Sequence, residues 1–130
     1  MIIQVIGLPG SGKSTLIKKY LENKSLNDVA YYDMANFTGK DLERNFKKRI
    51  KSSSKKYILA ESACGVHIHN SETIKLDIEI GIRREQYMDR EGQEPDYHYE
   101  SLLETRMVPP KYTIKNEQAF FDILDKLLTR

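Results

Sequence analysis

The feature that most constrains this chain is the segment Gly7–Ser14, which reads Gly-Leu-Pro-Gly-Ser-Gly-Lys-Ser. It matches the phosphate-binding pattern G-x-x-x-x-G-K-[S/T] at every fixed position. The apolar residues 2–6 before it predict a buried strand, and the apolar spacing of residues 16–21 after it predicts a helix. A strand, a glycine-rich turn and a helix start bring backbone N–H groups and the positive end of the helix dipole to one point, which binds anions. These neighbours disfavour a chance glycine turn, and the sequence therefore predicts a site for a nucleoside triphosphate.

We call Gly7–Ser14 the phosphate loop. Its glycines let the backbone approach a phosphate without a Cβ clash. Lys13 supplies a mobile positive charge for the outer phosphates, and the Ser14 hydroxyl can bind Mg²⁺. The predicted nucleotide-binding residues in and beside the loop are Gly7, Gly10, Ser11, Gly12, Lys13, Ser14 and Thr15.

Length and composition exclude several classes of protein. A chain of 130 residues predicts one domain. Its 21 Lys and Arg residues nearly balance its 19 Asp and Glu residues, so the net charge does not indicate a class of partner. No apolar run approaches the length of a membrane span, and the first residues predict a strand and not a secretion signal. The one cysteine, Cys64, cannot form an internal disulfide. We therefore expect a protein of the cytoplasm or an equivalent reducing compartment, with no membrane partner; the oligomeric state is left open.

Strand and helix patterns alternate along the whole chain. After the first strand and helix, further strands are predicted at residues 29–32, 57–60, 74–78 and 111–115. Further helices are predicted after a capping-box pair (Thr38 and Asp41), at about residues 79–91, from Asp96 to about residue 107, and after the N-cap Asn116. This alternation predicts an α/β fold of parallel strands with right-handed crossovers and helices on both faces of the sheet.

Two acidic residues follow neighbouring predicted strands, Asp33 after the second and Glu61 after the third. Ligands of an open parallel α/β sheet bind beyond the carboxyl ends of the strands, so we expect both acids near the phosphate loop. Ser14 and Glu61 are the predicted metal ligands, and Asp33 is suited to hold the acceptor hydroxyl as a base or as a hydrogen-bond acceptor. The two acids could exchange roles, and each could instead cap a loop or a helix start.

An arginine-bearing segment follows the fourth predicted strand. On a helix, Arg83, Tyr87 and Arg90 share one face, and the forked guanidinium group suits phosphate oxygens. We predict that Arg83 and Arg90 assist catalysis and that Arg83 also contacts the nucleotide. The alternative is a solvated helix face of ion pairs, because Glu85 and Asp89 lie between the arginines.

With these features the chain resembles a P-loop kinase of the nucleoside and nucleotide kinase group, most specifically at Gly7–Ser14. The lid, about residues 79–95, and the stretch through Arg106-Met107-Val108-Pro109 are most similar to uridine kinases and dephospho-coenzyme A kinases. The resemblance implies a three-layer P-loop NTPase fold with a five-stranded parallel sheet in the order 2-3-1-4-5. It also implies ATP and Mg²⁺ as cofactors, and adenine between the lid arginines and the loop of Lys115 and Asn116.

Two other signals are weaker. The basic run at residues 47–56 is typical of a solvated helix end, although it could guide a polyanion such as the 5′ end of a nucleic acid. His67, His69 and Asn70 lie in a loop beside the expected acceptor pocket and are candidate substrate contacts.

The leading hypothesis is a small ATP-dependent kinase that transfers the γ-phosphoryl group to a nucleoside, a nucleotide or a similar small metabolite. Its predicted catalytic residues are Lys13, Asp33, Arg83 and Arg90. The alternatives are a polynucleotide 5′-kinase and an ATP-binding regulator or degenerate kinase without transfer activity. A GTPase is disfavoured because the sequence has no Asn-Lys-x-Asp motif and because the third strand ends in Glu61-Ser62-Ala63-Cys64, with no Asp-x-x-Gly element at that point.

Overall fold

The computed structural model describes residues 1–24 and 27–129, which form alternating strands and helices. The strands are β1 (Ile2–Ile6), β2 (Val29–Asp33), β3 (Tyr57–Glu61), β4 (Ser71–Leu76) and β5 (Tyr112–Ile114). The helices are α1 (Lys13–Glu22), α2 (Leu42–Lys51), α3 (Ile80–Glu91), α4 (Tyr97–Arg106) and α5 (Glu117–Leu128), and a short 3-10 turn covers Met34–Asn36. Within these ranges, no helix has both the length and the apolar character needed to cross a membrane.

The strands form one parallel sheet in the order β2-β3-β1-β4-β5. β1 lies at the centre of the sheet, where both of its faces are covered, and its apolar residues Ile3, Val5 and Ile6 are fully buried. The predicted fold class, a five-stranded parallel sheet in the order 2-3-1-4-5 with helices on both sides, is confirmed. This order places the carboxyl ends of β1, β2 and β3 side by side.

Helices cover the two faces of the sheet with separate cores. On one face, Leu59 of β3 packs with residues of α1 and α5, among them Ile17 and Phe120. On the other face, Ala60 packs with Phe46 and Ile50 of α2. Because successive residues of a strand point to opposite faces, this division fixes the direction of every side chain on β2 and β3.

The structure confirms two of the predicted helix N-caps and contradicts the predicted capping box. Asp96 accepts a hydrogen bond from the Tyr99 N–H at 3.0 Å, and Asn116 accepts one from the Ala119 N–H at 2.8 Å, so both predicted N-caps are confirmed. The predicted capping box of Thr38 and Asp41 is wrong. α2 begins only at Leu42, after Asp41. Gly39 has a φ of 97°, which keeps the residues around it out of the helix.

The fourth strand also differs from its prediction at residues 74–78. β4 begins at Ser71, which pairs with Ile2, and it ends at Leu76. Its first residues are polar, and apolar periodicity alone therefore missed them. Gln4, buried on β1, stabilises this polar half because its Nε2 donates to Ser71 Oγ at 3.0 Å.

Candidate functional site

The phosphate loop forms a cradle of backbone amides at the start of α1. Gly10 and Gly12 have φ values of 85° and 82°, which glycine adopts without strain. The first N–H groups of a helix have no acceptor within the helix, so those of α1 are available to an anion in the loop. A Cβ on Gly10 would lie 2.6 Å from the backbone oxygen of Arg83, so α3 packs directly behind the loop.

Ser11 supplies a further polar group inside the loop. The residue is 3% exposed, and within the part of the chain that the structure describes its Oγ is buried without a hydrogen-bond partner. A Cβ on Gly7 would lie 2.9 Å from this oxygen, so the hydroxyl occupies the inside of the turn. A buried hydroxyl without a partner is costly, and a bound anion would satisfy it. The loop therefore fits a phosphate group.

Lys13 lies across the loop. Its Nζ donates a hydrogen bond to the Gly7 carbonyl oxygen at 2.6 Å. Burial lowers the pKa of Lys13 from 10.5 to about 8; Glu61 and Asp33 oppose this change, and Arg90 adds to it. A phosphate beside Nζ would favour the charged form, because an opposite charge raises the pKa of a lysine.

Ser14 and Glu61 meet at the carboxyl edge of the sheet. The Ser14 hydroxyl lies 2.9 Å and 2.7 Å from the two carboxylate oxygens of Glu61, which is 5% exposed. The Tyr31 hydroxyl also donates to Glu61, and burial and this hydrogen bond raise the pKa of Tyr31. Hydroxyl and carboxylate oxygens are ligands that Mg²⁺ accepts, and it is commonly bound by one or two carboxylates plus substrate phosphates. The residues present therefore fit this ion.

Asp33 lies beside this pair, because it faces Glu61 in the β2–β3 register. Its Oδ1 accepts a hydrogen bond from the Ala35 N–H at 3.0 Å, which caps the 3-10 turn. Asp33 thus caps a turn and also lies at the edge where the phosphate loop and Glu61 meet.

A cavity of about 640 Å³ opens between the phosphate loop, α3 and the start of α5. Leu16, Ile78 and Ile82 give it apolar walls, and Arg90 and Asn116 lie among its polar groups. Apolar walls with a few polar groups are typical of a small-molecule site. Three residues predicted from the sequence, Arg90, Lys115 and Asn116, are therefore brought together with the loop, as is Gln86.

Arg83 has a different environment from Arg90. It is 7% exposed, and its Nη1 lies 3.0 Å and 3.1 Å from the carboxylate oxygens of Glu100 on α4 and 3.4 Å from the Pro9 carbonyl oxygen. The guanidinium group therefore joins α3, α4 and the phosphate loop. A contact between Arg83 and the nucleotide stays a prediction, since this structure shows its guanidinium paired with a buried carboxylate. Sequence reasoning missed Glu100, and nothing in the local pattern distinguishes it from the other acids.

Hydrogen bonds from the buried side chain of Gln4 fix the loop that follows Glu61. The Gln4 side chain accepts from the Val66 N–H and donates to the Val66 carbonyl oxygen, both at 2.8 Å. Cys64 is free, and its Sγ donates to the Leu103 carbonyl oxygen at 3.3 Å. His67, His69 and Asn70 are exposed on this loop, and their contact with a substrate stays a prediction. Gln4 was also missed, although a polar residue in the middle of an apolar strand is a usable signal.

Solved structures with the same arrangement span the whole chain. An uncharacterized protein from Eubacterium ventriosum is similar with a TM-score of 0.70 and 17% identity, over 99% of this chain and 98% of that one. Shikimate kinase from Bacteroides thetaiotaomicron is similar with a TM-score of 0.65 and 16% identity, over 100% and 99% of the two chains. The fold is that of the P-loop kinases. A gluconokinase from Sinorhizobium meliloti shares it with a TM-score of 0.57 and 14% identity, over 98% and 94%.

Comparisons of the sequence alone are less informative than the comparisons of structure. The family model of the viral superfamily 1 RNA helicase core domain matches residues 3–61, less than half of the 130 residues, from β1 to the end of β3. No curated protein sequence matches the chain. These similarities support a P-loop kinase fold, and they do not single out the uridine kinase or dephospho-coenzyme A kinase group.

Proposed function

We propose that this protein is a kinase that transfers the γ-phosphoryl group of ATP, with Mg²⁺, to a hydroxyl group of a small molecule. The observation that carries the proposal is the direct contact between Ser14 and Glu61, with Lys13 and Asp33 at the same edge of the sheet. Phosphoryl transfer needs charge stabilisation and an acceptor held in line, and few other protein groups. The four side chains supply these requirements, and the shared kinase fold supports the same reaction.

Each of these side chains has a proposed role. The phosphate loop amides and Lys13 hold the β- and γ-phosphates and balance the charge on the transferring group. Magnesium, held by Ser14 and Glu61, would neutralise charge on the outer phosphates. Asp33 accepts the proton of the acceptor hydroxyl, whose oxygen forms a bond to the γ-phosphorus as the bond to ADP breaks. Arg90, which lines the cavity, adds positive charge to the site.

The proposed lid keeps one fixed half and one movable half. The buried Arg83–Glu100 pair anchors the first turns of α3 to the phosphate loop. Beyond it, residues 84–91 are exposed apart from the half-buried Tyr87, and Gly92 closes α3 with a φ of 72°. We therefore propose that closure over the nucleotide involves this second half, including Arg90.

The identity of the acceptor molecule is to be found by screening. The sequence resemblance favours nucleosides and nucleotides, and the named structural neighbours include a shikimate kinase and a gluconokinase. A screen for acceptor-dependent release of ADP from Mg-ATP should include nucleosides, nucleotides, sugars, gluconate and shikimate. ADP release that requires one acceptor supports a kinase, whereas binding without release supports a regulator or degenerate kinase. Because ATP is the donor and the one cysteine is free, we place the activity in the cytoplasm.

Asp33→Asn is expected to reduce transfer by about 100-fold while leaving the affinity for ATP unchanged. The reason is that the amide cannot accept the acceptor proton, although it can still accept the Ala35 N–H. The measurement is kcat for ADP release together with the Kd for Mg-ATP. Asp122→Asn, an exposed acid on α5, is the control for the same chemical change. Unchanged transfer in Asp33→Asn would move the role of base to Glu61 or to water.

A polynucleotide 5′-kinase is the second candidate, because a basic groove runs along α2. This groove, of about 540 Å³, is lined by Lys40, Asp41, Glu43, Arg44, Lys47, Lys48 and Lys51. Along the chain, α2 follows Asp33 after the 3-10 turn and residues 37–41. The cations of the groove suit a phosphate backbone.

If this candidate is right, Lys48→Glu combined with Lys51→Glu should weaken binding of a 5′-hydroxyl oligonucleotide about tenfold, and affinity should fall steeply with salt. Lys18→Glu combined with Lys126→Glu makes the same change in net charge at exposed positions outside the groove. Equal effects of the two pairs, or affinity that does not depend on salt, would remove the polynucleotide candidate. Fluorescence anisotropy across a salt series makes the measurement.

A further inference from the structure

Tyr31 and Tyr32 are adjacent on β2 and point to opposite faces of the sheet. Tyr31 packs on the side of α1, where its hydroxyl donates a hydrogen bond to Glu61 Oε1. Tyr32 packs on the side of α2, with the Arg49 guanidinium 5.1 Å from the centre of its ring. Only the first of these two tyrosines reaches the candidate site.

The Glu61 carboxylate is thus held from two elements of the fold. Ser14 contacts it from the start of α1, and Tyr31 contacts it from β2. Glu61 is 5% exposed, so its orientation is set by these contacts and not by solvent. A buried carboxylate needs such donors, because without them its burial is costly.

We propose that Tyr31 is a positioning residue that fixes the Glu61 carboxylate for the magnesium ion of a bound nucleotide. This inference rests on the proposed function and extends it to a residue outside the phosphate-binding pattern. Hydrogen-bonding partners of metal ligands set the orientation of those ligands, and their removal commonly weakens metal binding by about 10- to 100-fold. Tyr31 does not touch the nucleotide in this proposal, so its effect should appear only when the metal is present.

The test compares Tyr31→Phe with Tyr32→Phe, which removes the same hydroxyl group on the opposite face. Calorimetry gives the Kd of ADP for each protein, once with Mg²⁺ and once with a chelator. Tyr31→Phe should weaken the binding of ADP about tenfold with Mg²⁺ and leave it unchanged without the metal. Tyr32→Phe should leave both constants at their wild-type values. Because each protein is compared with itself, a modest loss of stability does not change the ratio of the two constants.

The outcomes separate this inference from the proposed function. If Tyr31→Phe keeps the wild-type ratio of the two constants, or loses affinity equally with and without Mg²⁺, Tyr31 has no positioning role. If the wild-type protein binds ADP in neither condition, the proposed function fails and this inference fails with it. A double variant adds a check: in a Glu61→Ala background, Tyr31→Phe should have no further effect on the ratio, and an additive effect would contradict the proposal.

Discussion

Lys13→Ala is expected to slow phosphoryl transfer by about a thousandfold, which is the upper range for removal of one charge-stabilising donor. The lysine ammonium lies across the phosphate loop, where burial makes its charge more effective than in water. Release of ADP, with the acceptor found by screening, measures the loss. Lys18→Ala, at an exposed position of the same helix, makes the same substitution and should retain the wild-type rate.

Lys13→Ala also removes the hydrogen bond from Nζ to Gly7, so a thermal melt should accompany the kinetics. A variant that melts near the wild-type temperature and transfers slowly supports a catalytic charge. Near-normal transfer by a folded Lys13→Ala protein would show that the reaction site has been assigned to the wrong loop.

Arg83→Met is expected to lower the free energy of unfolding by about 3–5 kcal/mol, the usual cost of leaving one member of a buried ion pair without its partner. The affected group is Glu100, which is 5% exposed and has its carboxylate 3.0 Å from the arginine Nη1. Urea denaturation followed by circular dichroism gives the free energy. Because Arg83 also reaches the Pro9 carbonyl oxygen, the variant should bind nucleotide more weakly as well.

Arg84→Met is the matched control for this experiment. Arg84 is the next residue on α3, and its partner Glu94 is exposed, so this pair should contribute far less to stability than the buried pair does. Replacing both Arg83 and Glu100 with methionine should restore most of the lost stability, since no charge is left buried. If Arg83→Met costs no more than Arg84→Met, the buried pair does not anchor α3 to the phosphate loop.

The sequence was most informative where topology brings distant residues together by rule. The carboxyl ends of parallel strands meet at one edge, so the positions of Asp33 and Glu61 beside the phosphate loop could be predicted from strand ends alone. The direct contact between Ser14 and Glu61 agrees with their predicted pairing at a metal site, although their ligation of a metal stays a prediction. The strand order could be predicted because the resemblance to P-loop kinases implied it.

Contacts that depend on how two helices cross could not be predicted in this way. Arg83 and Glu100 are separated by 17 positions and lie on different helices, so no periodicity relates them. In the sequence both residues lie in charged segments that predict exposed helix faces. Only the packing of α3 and α4 against the phosphate loop buries them. Tyr31 was missed for a simpler reason. It lies two positions before Asp33 on β2, so the two side chains are predicted on the same face of the sheet, but nothing in the sequence shows that the Tyr31 hydroxyl reaches Glu61.

The most direct test of the central claim is a calorimetric titration of the folded protein with ATP in the presence of Mg²⁺. We expect one saturable site per chain, with an affinity that is weakened in Lys13→Ala and retained in Lys18→Ala. A folded wild-type protein that takes up no ATP at millimolar concentration would contradict the assignment of Gly7–Ser14 as a nucleotide site.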